Sequence, residues 1–309
     1  MDCPICHNES WQAFLVAQDM YTGVAHPIHR CTQCGLARTA GDQTSSSAQS
    51  YVYGDSTDAG TRFGPMQWLL HALRWVRARK FVGRQPGRAL DVGCGDGSFL
   101  VALAQHGWEV FGTELSESIA TTAKRRLGNR VLVGAIELCG HRGASFDLVT
   151  FWHVLEHLDD PQKALAEARR LVKPDGTVVV AVPNVESLQA HLFKQDWLHL
   201  DVPRHRWHFD THTLSTLAER CDLRVTCIRH FSLEYGPFGI VQGFASKFGL
   251  GHALFTRLVR LSPFQLLREP LFWIHLPLVA LAIIPSFLLE LVAASIGRGG
   301  AIVIVLRPR

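Results

Sequence analysis

The chain has 309 residues, of which 47% are hydrophobic and 19% are charged, and its formal net charge is +4. This length exceeds that of most single domains and predicts one core domain with additions. The mild charge excludes the evenly spread basicity of a nucleic-acid binder, and the apolar composition excludes disorder. The chain starts without a charged segment followed by an apolar one, so we expect a cytoplasmic, reducing compartment without disulfides.

Two Cys-x-x-Cys pairs lie near the start of the chain, at Cys3/Cys6 and Cys31/Cys34. Each pair offers two thiolates on a tight turn, and two such turns can complete a closed tetrahedral zinc shell. The spacing therefore predicts a zinc-ribbon-like domain over residues 1–40, in which the metal supplies much of the folding energy. A haem-attachment string, Cys3-x-x-Cys6-His7, and four unliganded cysteines are less favoured alternatives.

Residues 41–61 are rich in Ser, Thr, Gly, Gln and Asp, which predicts a linker or lid. From Arg62 to Val82 apolar residues recur near helical spacing, and basic residues occur without acidic ones as far as Arg88. This pattern indicates a basic amphipathic helix. Such a helix is ordinarily a solvated face over a core stripe, and it also suits an anionic membrane surface.

The rest of the chain alternates strand and helix patterns. Strands are predicted at Ala89–Val92, Val110–Thr113, Val131–Val133, Phe146–Phe151, Val178–Val182, Arg224–Ile228 and Ala301–Leu306. Helices are predicted at Ser98–His106, Ser116–Arg126, Pro161–Leu171 and Thr213–Arg220. Short β-branched runs of this kind are typical of strands buried on both faces, and the alternation predicts an α/β fold with a mainly parallel sheet. We place the core domain at residues 62–234 and its final strand at 299–309.

The first of these strands runs into a glycine-rich turn, Asp91-Val-Gly93-Cys-Gly95-Asp-Gly97, and then into a helix. Glycines allow close approach of a ligand to the backbone, and a helix N-terminus presents free N–H groups. Glu114 follows at the end of the second strand, where a carboxylate can accept both hydroxyls of a ribose. The turn alone predicts only a nucleotide-type ligand.

The pattern Asp-x-Gly-x-Gly-x-Gly resembles the class I S-adenosylmethionine (SAM)-dependent methyltransferases. The resemblance is supported by Phe146-Asp-Leu-Val149, Leu155-Glu-His-Leu158 and Leu171-Val-Lys-Pro-Asp-Gly176. It implies a Rossmann-like, seven-stranded, mainly parallel sheet whose last strand is antiparallel, and it implies SAM as cofactor. The implied cofactor-binding residues are Asp91 before the turn, Gly93, Gly95 and Gly97 at the methionine end, Glu114 at the ribose, Ala135 and Ile136 beside the adenine, and Trp152. Many members of the family have Asp where Ala135 stands.

Histidines and a glutamate follow the fourth strand, where an acceptor should lie. His153, Glu156 and His157 have a spacing that brings them to one face if the turn is helical. The string resembles the Glu-x-x-Glu-His of metal-assisted methyltransferases, with His153 in place of the first carboxylate. His205, after the fifth strand, is a further candidate catalytic residue. Three roles stay open: ligation of a second divalent metal, a metal-free base, or structural hydrogen bonds.

An apolar insertion, residues 235–298, precedes the last strand. Leu271–Leu289 carries no formal charge and is long enough to be a transmembrane candidate. We expect instead a re-entrant or interfacial hairpin with basic anchors, because Pro277 and Pro285 should break a helix and the chain must return to one sheet. A buried helical subdomain or dimer face is the alternative.

Together these patterns predict a SAM-dependent methyltransferase, peripheral or re-entrant at the inner face of the cell membrane. The order of zinc knuckle and methyltransferase core is similar to that of bacterial sugar methyltransferases, so a sugar or lipid-linked glycan hydroxyl is the first acceptor considered. A prenylated phenol is the second. An RNA or protein methyltransferase is the rival from another class, weakened because only Arg30 and Arg38 are basic in residues 1–40; nucleic acid is not an expected partner. An inactive SAM-binding scaffold is disfavoured by the intact glycines.

Overall fold

A computed structural model of the protein describes residues 2–41, 76–77, 85–233, 235–247, 268 and 270–309. The predicted linker at 41–61 lies outside the described residues apart from residue 41. Of the predicted basic helix at 62–82, residues 76 and 77 are described, and both are helical.

Eleven strands occur among the described residues. They are β1 (Trp11–Gln18), β2 (Ala25–Cys31), β3 (Ala37–Thr39), β4 (Arg88–Val92), β5 (Glu109–Glu114), β6 (Val131–Val133), β7 (Phe146–Trp152), β8 (Val172–Pro183), β9 (Trp207–His208), β10 (Leu223–Arg229) and β11 (Ala301–Pro308). The α-helices of the described residues are α1 (Ser98–Gln105), α2 (Glu117–Leu127), α3 (Pro161–Leu171), α4 (Leu188–Phe193), α5 (Thr211–Arg220), α6 (Gly236–Lys247) and α7 (Pro270–Ser295).

The main sheet has seven strands in the order β10-β11-β8-β7-β4-β5-β6. The neighbours from β8 to β6 pair in parallel, whereas β11 pairs antiparallel with both β8 and β10. The mainly parallel, Rossmann-like fold class predicted from the sequence is therefore confirmed. The order reverses at β4, and that reversal opens a crevice at the carboxyl ends of the central strands, where ligands bind in such sheets.

The central strands form because their residues are apolar on both faces. All of Val178–Val182 in β8 is buried, as expected for a strand covered by helices on either side. The helix that leads into β8 is fixed at its start by Asp160, whose carboxylate accepts the N–H of Lys163, and by Pro161 in its first turn. These local features fix where α3 begins, directly after the turn that follows β7.

A second sheet has the order β1-β2-β3-β9, and the N-terminal cysteines lie beside it, with Cys31 as the last residue of β2. Three of its strands come from residues 2–41, which we call the cysteine module, and β9 comes from the segment after β8. The module shares its apolar core with the main sheet, since Ile5 and Leu36 belong to the same buried cluster as Leu155 and Trp207. The N-terminal segment is thus packed onto the core.

The apolar insertion contains α6 and α7, which pack against each other. α7 is one continuous helix, so the expectation that Pro277 and Pro285 break it into a hairpin is wrong. Proline fixes φ at a helical value and costs about 3 kcal/mol in a helix interior, a penalty that packing onto a neighbour can offset. Among the described residues, no helix is long and apolar enough to cross a membrane.

Candidate active site

The glycine-rich turn joins β4 to α1 with all three glycines at positive φ: 67° at Gly93, 57° at Gly95 and 75° at Gly97. A Cβ on Gly93 would lie 2.5 Å from a methyl of Val154, so only glycine fits there. Gly95 faces open space, with nothing within 4 Å of a built Cβ. The turn therefore exposes its backbone at Gly95, while Gly93 fixes its contact with the segment after β7.

Glu114 is buried at the end of β5 and holds this turn. Its carboxylate accepts the N–H of Gly95 at 3.0 Å and the N–H of Ser116 at 2.9 Å. Asp91, buried in β4, accepts the hydroxyl hydrogen of Thr150 at 2.6 Å. Both predicted carboxylates are thus fixed by hydrogen bonds at the crevice.

The other predicted cofactor residues surround the same crevice. Ala135 is half-buried and begins a short 3-10 turn, Ile136–Leu138, in which the Ile136 side chain points into the core. Trp152 ends β7 and meets Phe99 of α1 edge to face, with ring centroids 5.8 Å apart. The guanidinium of Arg77 lies 4.2 Å from the Trp152 ring centroid.

The turn after β7 brings the predicted catalytic residues together. It is a 3-10 turn, Leu155–His157, and His153 precedes it at a φ of 56°, so the predicted helical face is replaced by a tight turn. The Glu156 carboxylate is 1% exposed, and neither oxygen accepts a hydrogen bond from any described residue. Its Oε1 lies 3.4 Å from His153 Nδ1 and 3.9 Å from His205 Nε2.

Backbone carbonyls fix the orientation of two of these histidines. His157 Nδ1 is 2.9 Å from the carbonyl oxygen of Arg204, and His205 Nδ1 is 2.9 Å from that of His199. A carbonyl only accepts, so each neutral ring carries its hydrogen on Nδ1 and leaves the Nε2 lone pair available. The ligand atoms of Glu156, His157 and His205 lie within 4.8 Å of one another, a grouping able to hold a metal ion.

Burial sets the electrostatics of this cluster. It lowers the pKa of His205 to about 4 and lowers the pKa of His153, so both rings are neutral at pH 7. Burial alone would raise the pKa of Glu156, but the surrounding histidines outweigh it and lower that pKa to about 2. With His153 and His205 neutral at pH 7, the ionised Glu156 carboxylate is a buried charge, and such a charge is costly.

The four predicted zinc ligands also converge. Cys3 Sγ lies 3.4 Å from Cys34 Sγ, and Cys6 Sγ lies 3.4 Å from Cys31 Sγ. All four sulfurs are within 4.8 Å of one another. Burial raises the pKa of Cys3 to about 11, whereas the N–H groups of Cys34 and Gln33 overcome burial and lower that of Cys31 to about 6. A cluster of four cysteines of this kind is able to bind zinc, because a central dication stabilises all four as thiolates.

The comparison with protein families now decides the class of the chain. Residues 68–228 match the model of a methyltransferase domain family, and this region contains the glycine-rich turn, Glu114 and the histidine turn. The chain belongs to the class I SAM-dependent methyltransferases. SAM is therefore its methyl donor.

Known relatives of the methyltransferase include enzymes named ubiquinone biosynthesis O-methyltransferase. That of Methylococcus capsulatus is 40% identical over 135 residues, 40% of this chain and 55% of the relative. That of Bordetella avium is 28% identical over 213 residues, 65% of this chain and 87% of the relative. The chain thus spans just over half the length of the first of these relatives.

Two solved structures similar to this chain are described as SAM-dependent methyltransferases. One from Thermotoga maritima, described as a possible histamine N-methyltransferase, is 27% identical, with 52% of this chain and 75% of that chain covered and a TM-score of 0.42. One from Archaeoglobus fulgidus is 18% identical, with 76% and 93% covered and a TM-score of 0.49.

We call Glu156, His153, His157 and His205 the histidine cluster. Two further residues contact it and are not indicated by any sequence motif. Tyr235, the residue before α6, stacks on His153 with ring centroids 3.7 Å apart. His199 is buried, and its Nε2 lies 3.1 Å from the carbonyl oxygen of Tyr235. Both arise from contacts between distant segments, so a search for local motifs misses them. They connect the apolar insertion to the predicted catalytic residues.

Proposed function

We propose that this methyltransferase transfers the methyl group of SAM to a hydroxyl oxygen of a small, lipid-linked acceptor, with a prenylated phenol as first choice. The observation that carries the proposal is the Glu156 carboxylate, buried among histidines beside the glycine-rich turn and joined through His153 and Tyr235 to an apolar insertion. The similarity to ubiquinone biosynthesis O-methyltransferases favours a phenol over the glycan hydroxyl that the sequence alone put first.

In this proposal the cofactor lies between the glycine-rich turn and the ends of β5 and β6. SAM supplies an electrophilic methyl group on its sulfonium. Gly95 leaves room for its methionine end, Gly93 and Gly97 let the turn pack closely on Val154 and α2, and Glu114 would accept hydrogen bonds from the ribose hydroxyls. The Glu114 carboxylate is already oriented by two backbone N–H groups, so it needs little reorganisation on binding.

The acceptor hydroxyl must lose its proton for an oxygen to be methylated. We propose that Glu156, His157 and His205 hold a divalent metal ion, which lowers the pKa of a bound hydroxyl. Two features support it: both histidines donate Nδ1–H to a backbone carbonyl, as metal-ligating histidines usually do, and the Glu156 oxygens accept no hydrogen bond within the described part of the chain. Without a metal, His205 or His153 is the candidate base.

The four cysteines of the cysteine module hold a structural zinc ion in this proposal. Four sulfur ligands leave no open position, so that zinc stabilises the fold and takes no part in chemistry.

Membrane contact is supported by the reversed polarity of α7. Among the α7 side chains at 273 and 281–295, those buried against the protein are small or polar: Ser286, Glu290 and Ala293. Its exposed residues are large and apolar and recur every three or four positions, at Leu281 (77% exposed), Ile284 (68%), Leu288 (56%) and Val292 (60%). We call these four residues the apolar stripe. A helix with polar residues inward and apolar residues outward suits an apolar medium, and at the surface of a protein in water it marks an interaction site.

α7 is also anchored to the core beside α4, the helix that follows β8. The Glu290 carboxylate accepts the side-chain N–H of Gln189 at 2.8 Å and the N–H of Gly300 at 2.8 Å. A Cβ on Gly236 would lie 2.4 Å from the Glu290 side chain, so the helices meet closely beside Tyr235. A lipid-linked acceptor that approaches along α7 would therefore meet the histidine cluster beside Tyr235.

A methyl-transfer assay with radiolabelled SAM tests this function. The acceptors are a catechol with a short prenyl chain, the same catechol without it, and a polyprenyl-phosphate-linked sugar. We expect label on an oxygen of the prenylated catechol, with a higher KM for the catechol that lacks the chain. Label on the sugar alone would support the glycan acceptor, and label on none of the three acceptors would overturn the proposal.

A further inference from the structure

The cysteine module is joined to the acceptor site by strand pairing. β3 pairs antiparallel with β9, with Ala37 opposite His208 and Arg38 opposite Trp207. β9 begins two residues after His205, a member of the proposed metal site. The module therefore gains its fourth strand from the segment that contains a candidate catalytic residue.

Thr39, the last residue of β3, makes the closest contacts across this junction. Its hydroxyl oxygen lies 2.6 Å from the carbonyl oxygen of His205 and 2.9 Å from Nε2 of His208, and its N–H donates to the carbonyl of Arg206 at 3.0 Å. A hydroxyl has one hydrogen, and a carbonyl only accepts. Thr39 therefore donates to His205 and accepts the Nε2–H of His208, which fixes the tautomer of that ring.

A second contact holds the start of the same segment. Arg204 Nη1 donates to Asp19 of the module at 3.1 Å, and both side chains are buried. The Arg204 guanidinium also lies 4.6 Å from the ring centroid of Tyr21. Because the Arg204 carbonyl accepts Nδ1–H of His157, the module holds the backbone that orients the His157 ring, and through Thr39 it also holds the backbone of His205.

The cysteine cluster in turn holds Thr39. The second Cys-x-x-Cys pair forms the turn between β2, which ends at Cys31, and β3. In that turn the N–H of Cys31 donates to the carbonyl of Leu36 at 2.8 Å, and Ile28 of β2 faces Thr39. A metal bound by the four thiolates would close this turn and set the register that places Thr39.

We propose that Thr39 is a positioning residue for the acceptor site, and that metal binding by the cysteine module controls the geometry of His157 and His205 without affecting the SAM site. The inference rests on the proposed acceptor site. It gives the cysteine module a role in shaping the acceptor site, in place of a role in binding a separate substrate. We expect SAM binding to be kept because the hydrogen bonds of Glu114 to Gly95 and Ser116 do not involve the cysteine module.

NMR of ¹⁵N-histidine-labelled full-length protein tests the role of Thr39. In Thr39→Val we expect the Nε2–H signal of His208 to disappear and the ring signals of His205 and His157 to move, with SAM affinity within twofold of wild type. Thr39→Ser keeps the hydroxyl and should restore all three signals. Arg30→Gln is the matched control, since Arg30 joins the module to Glu186 at 2.7 Å but leads to none of these histidines. Unchanged histidine signals in folded Thr39→Val would overturn the inference.

The second part of the proposal, control by metal binding to the cysteine module, is tested on the full-length protein without that metal. In Cys34→Ser, which removes a zinc ligand of the cysteine module but leaves the proposed ligands of the second metal unchanged, we expect the same three histidine signals to change while calorimetric titration with SAM still gives wild-type affinity. In Thr39→Val, methyl transfer should fall about 10- to 100-fold, as for loss of a residue that supports a ligand. Wild-type histidine signals in Cys34→Ser would refute control by the module. If the signals change as expected but no variant methylates any acceptor, the proposed function fails and the positioning role stands.

Discussion

The imidazole of His153 lies against the ring of Tyr235, with centroids 3.7 Å apart and ring planes inclined by 30°. This stack joins the turn after β7 to the first residue of the apolar insertion. Stacked aromatic rings contribute about 0.5–1.5 kcal/mol beyond the area they bury. Tyr235 therefore limits how far His153 can turn.

We expect Tyr235→Ala to raise the KM for the acceptor about tenfold, because the lost stack frees His153. Tyr235→Phe keeps the ring and should stay near wild type. Steady-state kinetics with the prenylated catechol, together with SAM titration, check this. An equal loss in both variants would point to the Tyr235 hydroxyl instead of the stack.

Glu156→Gln should abolish divalent metal binding at the histidine cluster, since the carboxylate supplies the only formal negative charge of the proposed ligand set. Elemental analysis of the wild type should find more than one metal ion per chain, and only zinc should remain in the variant. Glu219→Gln, on the surface, is the matched control. A wild type with one zinc and nothing else would leave a histidine as the base.

Replacement of Glu114 tests the cofactor site. Glu114→Gln should weaken SAM binding about 10- to 100-fold, because an amide accepts less strongly than a carboxylate and its orienting hydrogen bonds change. Glu117→Gln, exposed at the start of α2, should bind SAM like the wild type. Calorimetric titration measures both. Unchanged affinity in Glu114→Gln would remove this residue from the site.

Much of this site could be predicted from the sequence, because strand, glycine-rich turn and carboxylate are close in the chain. Each of the seven predicted strands of the main sheet lies within an observed one, since a run such as Val178–Val182 has few ways to be buried. Thr39 and Tyr235 reach the histidines only through pairing and packing between distant segments, which no local pattern encodes. The continuity of α7 was missed because a local rule about proline was outweighed by packing.

The apolar stripe should mediate binding to anionic lipid vesicles. Ile284→Glu with Leu288→Glu should lower the bound fraction in co-sedimentation at least tenfold, because each buried charge is costly in an apolar medium. Val16→Glu with Val24→Glu is the matched control, since both valines are exposed on the cysteine module. Equal binding by the two double variants would contradict a membrane role for α7.

Buried histidines should make the protein sensitive to acid. Burial lowers the pKa of His199 to about 4 and of His208 to about 3, against about 6.5 in an unfolded chain. The unfolded state therefore binds more protons below pH 6.5, so the free energy of unfolding falls as pH drops from 6.5 to about 4. Each such histidine contributes a slope of about 1.4 kcal/mol per pH unit.

Urea unfolding at a series of pH values measures that slope. His208→Gln keeps a donor toward Thr39 and should reduce the slope by about 1.4 kcal/mol per pH unit, the contribution of one bound proton. His212→Gln, on the surface, should leave the slope unchanged. A slope that does not differ between wild type and His208→Gln would show that His208 is not neutral in the folded protein.

The position of β11 determines the order in which the chain can fold. β11 lies between β8 and β10, although β10 precedes it in the chain and the insertion separates them. Until Ala301–Pro308 has left the ribosome, β8 has an unpaired edge and β10 has no partner in the main sheet, while the apolar helix is already synthesised. Nascent chains that stall before this strand would therefore expose a sheet edge and an apolar helix together, which makes them substrates for chaperones and prone to aggregation.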